Sequence, residues 1–258
     1  DGKLQMNDEN IRFDFLGNIN FQEEMPLYDF KADVESIDLQ ALNLSKDITH
    51  VEGLLDIKLK GSSIDNIIGS ALGNKIQIVR ENDTLDFGHL AIASTLSNQV
   101  QRSIFVDSDI GNAEITGEYN LSELPDAAIA MIKLNFPSLG KKIKYTGNIP
   151  ANEVIADFDV NLIDGGDVLS FFTSKKAKLE NISMKGSIDY RENDFVFDLN
   201  TADALFDQYH TYGLNVNFDI EESKGHFEAR VDSGYLKQFP LAAVEVEGNL
   251  ERDTLYFG

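Results

Sequence analysis

Side chains that could carry out chemistry are few in this sequence, and their spacing matches no catalytic or metal-binding motif. The four histidines show no H-x-x-x-H or H-E-x-x-H spacing, and none accompanies a nucleophile motif. There is no cysteine, which excludes disulfides, thiolate metal sites and cysteine nucleophiles. The glycine-rich phosphate and dinucleotide loops and the G-x-S-x-G elbow are also missing. We therefore predict that the chain is not an enzyme and requires no cofactor.

The acidic stretch DSDIGNAE, residues 107–114, comes nearest to a metal-binding loop. A calcium loop of the EF-hand type needs an acid or amide at position five and glycine at position six, whereas Gly111 stands at position five. Carboxylates that could pair are plentiful, but glycosidases also use aromatic platforms, and the chain has no tryptophan. We therefore predict no metal site. Of the three functions that the sequence leaves open, an enzyme with a β-rich fold has the least support, behind the two described below.

The charge balance restricts the class of partner. The 258 residues include 44 acidic and 22 basic side chains, for a formal net charge of −22. Nucleic-acid binding needs a basic footprint, so we predict no nucleic-acid partner, and simple electrostatic docking on anionic lipid is also disfavoured. Because the chain begins DGKLQMNDEN and ends TLYFG, we expect a segment of a longer protein whose membrane anchors lie outside it.

One short phrase recurs along the chain. IVRENDTLDF (78–87) and DYRENDFVFD (189–198) are the clearest copies, and NDENIRFDF and NLERDTLYFG are weaker ones. In each copy a cluster rich in Asn and Asp adjoins runs in which apolar and polar residues alternate. A period of two is typical of a strand, and Asn and Asp suit tight turns. The phrase therefore predicts a β-hairpin.

The same alternation extends over nearly the whole chain and predicts an antiparallel sheet with one apolar and one polar face. Glycines within or just beyond these strands indicate bulges or bends. They are Gly17, Gly53, Gly61, Gly117, Gly147, Gly186 and Gly248. The predicted fold class is mainly β: a long, curved antiparallel sheet shaped as a trough, with a few short amphipathic helices.

Three segments break the alternation and predict short helices that close the ends of the curved sheet. They are SSIDNIIGSALG (62–73), SELPDAAIAMIKL (122–134) and GDVLSFFTSKK (166–176). Each carries one apolar stripe, and none has the basic polar face of a membrane-surface helix. The predicted organisation is a β segment with two helices over 1–140, followed by a continuation of the sheet with one helix over 141–258.

Particular motifs also resemble those of a known family. They include a strand ending at Gly61, an isoleucine-rich short helix after it, and the strand pattern L-x-I-x-S from Leu90. The pattern SD-x-x-x-A-x-I-x-G-x-Y then runs from Ser108 to Tyr119 and leads into a helix. With these motifs, the stretch from about residue 30 to 139 resembles the TamB branch of the AsmA-like proteins, in the form typical of Bacteroidetes.

The resemblance implies a location, a function and partners. Proteins of this family are anchored in the inner membrane by an N-terminal helix and cross the periplasm as a curled sheet with an apolar trough. They are thought to carry phospholipid to the outer membrane, with an outer-membrane barrel of the BamA superfamily as partner. The resemblance thus implies phospholipid acyl chains as ligands and a periplasmic location for this segment.

Alternating apolar residues supply the expected lining of such a groove. The predicted lining residues are Leu55, Ile57, Leu59, Ile76, Ile78, Leu85, Phe87, Ile115, Phe195, Phe197, Val216, Phe218, Phe227 and Val231. The same residues would form a closed core if a second sheet packed on them. A periplasmic or surface β-sandwich that binds glycan or protein is therefore the alternative function, and both readings remain open from the sequence.

Overall fold

The computed structural model of the chain describes residues 2–43, 45, 48–80, 83–97, 100–135, 137, 141, 153–173, 177–206, 209–221, 224–251 and 254–257. The chain divides into two compact units. The first comprises Asp1–Thr95, Ile104–Asn112 and Asp167–Lys175, and the second comprises Leu96–Ser103, Ala113–Gly166 and Lys176–Gly258. The boundary predicted at residue 140 adjoins residues 142–152, which lie outside the described residues, and it stays a prediction.

The first unit is an antiparallel meander in which each strand pairs with the next one along the chain. Burial alternates clearly along Ile11–Asn20 and Leu27–Ile37, as expected where successive side chains point to opposite faces of the sheet. The strands are β1 (Gly2–Asn7), β2 (Ile11–Asn20), β3 (Leu27–Ile37), β4 (Ile48–Lys60), β5 (Ile68–Arg80) and β6 (Asp83–Ser97). Next along the chain come β7 (Gln101–Ser108) and β8 (Gly111–Glu118).

The second unit continues the antiparallel pattern. Its strands are β9 (Ile155–Asp164), β10 (Ala177–Asp189), β11 (Asp194–Phe206), β12 (Tyr209–Glu221), β13 (Lys224–Val231), β14 (Ser233–Leu236), β15 (Phe239–Leu241), β16 (Val244–Glu251) and β17 (Thr254–Phe257). The hairpin of β14 and β15 is inserted between β13 and β16, which pair with each other. The predicted fold class, mainly β and antiparallel with few short helices, is confirmed.

All four copies of the repeated phrase form hairpins, as predicted. The clearest turn joins Asp189 to Asp194, which are opposite each other in the β10–β11 ladder. One carboxylate oxygen of Asp189 accepts hydrogen bonds from the backbone N–H groups of Arg191 and Glu192, each at 3.0 Å. Asn193 then takes a left-handed backbone with φ 59°. The polar cluster therefore closes the turn through local hydrogen bonds and a residue that tolerates positive φ.

Two of the three predicted helices are present. A 3₁₀ turn (Leu121–Glu123) leads into α1 (Leu124–Asn135), and α2 (Gly165–Thr173) follows β9. The buried side chains of α1 are Ala127, Met131 and Asn135. The spacing of the apolar residues in the sequence would instead place Leu124, Ala128, Ile129 and Ile132 on the buried face, and these four are half-buried. Among the described helices, none is long and apolar enough to cross a bilayer.

The helix predicted over 62–73 is wrong. The Asn66 side chain accepts hydrogen bonds from the backbone N–H groups of Ser62 and Ser63, at 2.8 and 2.9 Å, and so forms a tight turn. From Ile68 onward the chain is strand β5, which pairs with β4 and β6 on its two sides. Gly69 and Gly73 weaken any helix in this stretch, and the two strand partners decide the outcome.

In each unit, positions with a register shift or a left-handed backbone lie next to one another on neighbouring strands. We call each such line of positions a bulge row. In the first unit the ladder registers shift at Gly53 in β4 and at Lys75 in β5, where φ is 55°. In the second unit the row is marked only by left-handed backbones, at Asn181 in β10 with φ 52° and at Gly213 in β12 with φ 63°, and the ladder registers continue without a shift on both sides of it. Bulges increase local twist and bend the strands that carry them.

The glycines predicted to mark bulges divide into different roles. At Gly53 the register shift confirms the prediction. At Gly186 and Gly248 the ladders continue without a shift, so neither marks a bulge. There the rings of Phe158 and Phe227 occupy the space above the glycines. Gly147 lies outside the described residues.

Candidate functional site

Three predicted lining residues of β4 share one face of the first unit. Leu55, Ile57 and Leu59 are directly opposite Ala32, Phe30 and Tyr28 of β3, and Gly73, Ala71 and Gly69 of β5. We call this side of the sheet the apolar face of the first unit. All three side chains are half-buried. Small residues of β5 thus lie beside the large side chains of β4.

The remaining predicted residues of the first unit lie on the same face but differ in burial. Ile78 is opposite Leu85 in the β5–β6 ladder, and Phe87 is two residues further along β6. Ile76 and Leu85 are buried, with 6% and 2% of their surfaces exposed, whereas Ile78 and Phe87 are half-buried. Ile76 and Leu85 therefore belong to a closed core, and the others are accessible in part.

In the second unit the predicted phenylalanines form a ladder across neighbouring strands. Phe197, Phe218 and Phe227 are opposite one another on β11, β12 and β13. Phe195 stacks beside Phe197, with ring centroids 6.4 Å apart, and contacts the ring of Phe218 at 6.0 Å. We call this side the apolar face of the second unit. It is aromatic at its centre.

The other predicted residues of the second unit are Val216, Val231 and Ile115. Val216 is opposite Ala229, and Val231 is opposite Val244, both on the apolar face. Ile115 is half-buried on β8. The Phe ladder, Val216 and Val231 are also half-buried, whereas Ile220, at the end of β12, is only 2% exposed.

Several residues of the two apolar faces were absent from the predicted lining. On the first unit, Phe15 and Phe30 pack with ring centroids 4.9 Å apart, next to Leu55 and Ile57. On the second unit, the Phe158 ring lies over Gly186 and 6.5 Å from the Phe197 ring. Their period-two alternation was the signal that could have identified them.

The opposite face of each sheet carries the charges. On the second unit, Lys185 is directly across from Asp159, and their charged groups are 2.8 Å apart. The hydrogen bond from Lys185 lowers the pKa of Asp159, and the same bond raises the pKa of Lys185. On the first unit, Lys31 and Asp56 form a similar pair at 3.0 Å. The acidic composition therefore resides largely on the polar faces.

A concavity of about 550 Å³ interrupts the polar face of the first unit. Leu16, Leu54 and Leu72 line it, and all three are exposed. Lys31 and Asp56 stand between the leucines in the cross-strand order. The concavity is amphipathic, with apolar side chains separated by a salt bridge.

A second concavity, of about 430 Å³, lies along the bulge row of the second unit and is polar. It is lined by Asn181, Asn200, Thr201, Ala202, Gly213, Leu214, Asn215, Glu228, Arg230 and Asp232. The amide of Asn215 donates a hydrogen bond of 2.6 Å to the side-chain oxygen of Asn200. The lining offers both donors and acceptors, but no aromatic ring.

A charged cluster lies at one end of the second unit, where Tyr209 begins strand β12. The Lys178 ammonium is 2.8 Å from carboxylate oxygens of both Asp203 and Glu180. His210 Nε2 is 2.7 Å from the other oxygen of Asp203. The hydrogen bond from Lys178 lowers the pKa of Asp203, and His210 adds to this effect. On the other side of the ring, His210 Nδ1 is 3.4 Å from the Tyr212 hydroxyl.

Among the described residues, no group of three or more His, Cys, Asp or Glu side chains could hold a metal ion. In the stretch 107–114, the Asp109 carboxylate accepts a hydrogen bond from the backbone N–H of His89.

In comparisons with known proteins, no family model, no curated protein and no solved structure matches the chain.

Proposed function

We propose that the chain is a non-enzymatic, lipid-conducting segment whose apolar faces hold phospholipid acyl chains. Acyl chains need burial but no directional bonds, so a face of Leu, Ile, Val and Phe suits them. The observation that carries this proposal is the half-burial of the Phe ladder and its neighbours on one face of the second unit.

The distribution of polar groups supports the proposal. The pairs Lys185–Asp159 and Lys31–Asp56 lie on the faces opposite the apolar ones. Each sheet is thus two-sided, which is typical of an antiparallel sheet with one face in water and one face in apolar surroundings. The first unit repeats the arrangement with Leu55, Ile57 and Leu59.

The resemblance to the TamB branch supplies the wider setting of the proposal. In that setting the chain is part of a periplasmic bridge anchored in the inner membrane, which supports outer-membrane biogenesis with a barrel of the BamA superfamily. The motifs from Gly61 to Tyr119 support this assignment.

Native mass spectrometry of the purified chain tests the proposal directly. We expect co-purified phospholipid on the wild-type chain. Phe218→Asp and Ile57→Asp place a charge on a half-buried position of each apolar face, where the carboxylate keeps some contact with water. We expect both variants to fold, as judged by circular dichroism, and to lose the bound lipid.

Ile163→Asp is the matched control, because Ile163 is 63% exposed on strand β9 and alternates with the apolar-face residues Leu162 and Val160. It introduces the same charge on the polar face, and we expect it to keep the lipid. If all three variants keep their lipid, or if the wild-type chain carries none, the proposal is wrong.

The polar concavity of the second unit favours a second candidate function, a module that binds a glycan. Asn181, Asn200 and Asn215 offer amide donors and acceptors that could pair with sugar hydroxyls. Screening the chain against a panel of oligosaccharides, with Asn215→Ala as the comparison, would test it. Binding that is lost in Asn215→Ala would favour the glycan module over the lipid segment.

A further inference from the structure

The β14–β15 hairpin exposes apolar side chains at its tip. Leu236 and Phe239 are opposite each other and flank a two-residue turn, in which Lys237 takes a left-handed backbone with φ 60°. Tyr209 of β12 is opposite Leu236 on the other side. Tyr209, Leu236 and Phe239 thus form one row across three strands, and they are 47%, 41% and 71% exposed.

The other face of the hairpin is also apolar. There Tyr235 is opposite Pro240, and both are exposed. Large exposed apolar groups therefore stand on both sides of the same two short strands. A protein partner that docks against a sheet covers one face, whereas an element immersed in an apolar layer has such groups on both faces.

The charge and residue types at the tip indicate what the apolar layer is. The run from Ser233 to Val244 contains no acidic residue and one cation, Lys237, in a chain with a net charge of −22. Tyr, Phe, Leu and Lys together are typical of elements that lie at the boundary between lipid headgroups and acyl chains. A patch of about five side chains is also small for a stable protein–protein interface, which needs roughly 800 Å² per partner.

We propose that the tip of the β14–β15 hairpin inserts into the interfacial layer of a lipid bilayer. Tyr209, Leu236 and Phe239 enter the layer, while Lys237 remains at the level of the headgroups. This inference concerns contact with a bilayer surface. It does not rest on the transport of lipid along the apolar faces.

The absence of tryptophan from the chain makes a direct test possible. Phe239→Trp places a single fluorophore at the tip. With vesicles of phosphatidylcholine and phosphatidylethanolamine, we expect its emission to shift to shorter wavelength and to be quenched by lipids brominated on the acyl chains. We use neutral vesicles because the net charge of the chain disfavours anionic ones.

Phe21→Trp is the matched control. Phe21 is 69% exposed, nearly as much as Phe239, but Glu23 and Glu24 follow it in the same loop. We expect no shift and no quenching from this position. An equal response from both positions would mean nonspecific adsorption and would overturn the proposal.

Vesicle flotation of the otherwise native chain provides the second measurement. Phe239→Asp should reduce the partition coefficient calculated from the fraction that floats by about tenfold or more, since one buried Phe side chain is worth at least that factor in partition. Because the side chain is exposed, circular dichroism should stay unchanged. If the wild-type chain does not float, or if Phe239→Asp instead abolishes a concentration-dependent self-association measured without lipid, the tip is not a bilayer-contacting element.

Discussion

The carboxylate of Asp109 lies directly beside the Cα of Gly88, in the space that a side chain at Gly88 would occupy. Gly88 has a left-handed backbone with φ 57°, and the Asp109 backbone N–H donates a hydrogen bond of 3.2 Å to the carbonyl oxygen of Phe87. Gly213 and Asp232 repeat this relationship in the second unit, where the Asp232 N–H donates to the Tyr212 carbonyl at 3.0 Å. Each pair stands at the end of a bulge row.

Gly88→Ala should destabilise the chain for two reasons. The left-handed backbone alone costs about 1–2 kcal/mol for a residue with a Cβ, and the new Cβ would overlap the Asp109 carboxylate. Chemical denaturation should show the loss. Gly2→Ala is the control, because no atom lies within 4 Å of a Cβ at that position. Equal stability of the two variants would contradict the prediction.

Asn193→Gly should lower the free energy of unfolding by about 1–3 kcal/mol, the cost of leaving a buried polar group without its partner. The amides of Asn135 and Asn193 bond reciprocally, at 2.8 and 3.0 Å, and thereby attach α1 to the β10–β11 turn. Because glycine tolerates the positive φ, the variant removes the side-chain amide without straining the backbone, and the loss of stability reports on the amide hydrogen bonds alone. Lys237→Gly changes another residue with positive φ that is exposed, and it should have little effect in the same denaturation experiment.

Asp203→Asn should destabilise the chain at neutral pH but not in acid. The pKa of Asp203 is lowered in the folded state, chiefly by the hydrogen bond from Lys178, so its carboxylate stabilises the fold above the unfolded-state pKa. That contribution is lost as the pH falls through the lower folded-state pKa. Melting temperatures of wild type and Asp203→Asn should therefore converge at low pH. Asp29→Asn, at an exposed position of β3, serves as the comparison. A constant difference between wild type and Asp203→Asn across the titration would rule out this role of Asp203.

Ile220→Ala should cost about 2–5 kcal/mol, as expected for truncation of a buried side chain. Val246→Ala, on the same apolar face but 36% exposed, should cost less than about 1 kcal/mol. Urea denaturation of the two variants measures the difference between closed core and accessible face. Similar losses would mean that the face is buried throughout.

Much of the β structure could be predicted from the sequence because its signals are local. The alternation in residues 189–198 and the Asn and Asp residues between the strands predict the hairpin without reference to the rest of the chain. The Pro and Ala residues of 122–134 likewise predict α1. The shared face of Phe197, Phe218 and Phe227 followed from the period of two once the strands paired in register.

The failures arose where pairing partners decide the structure. The spacing of four apolar residues fits a helical stripe: Ile64, Ile67, Ile68 and Leu72. Instead, Ile68 and Leu72 belong to strand β5, which pairs with β4 and β6. The burial of Leu85 beside the half-burial of Phe87 depends on what covers each position, which the alternation of one strand does not encode. In the first bulge row the sequence predicted Gly53 but not Lys75, since Lys is not a residue type that indicates positive φ.

The neighbour-to-neighbour order of the strands has a consequence for how the chain folds. In each unit most strands pair with the preceding or following strand, so closure of most hairpins requires only a short loop. The entropy lost in forming short loops is small, and structures dominated by local contacts reach their native state faster than those with distant pairings. The sheet of each unit can therefore grow by successive addition of hairpins as the polypeptide emerges during synthesis.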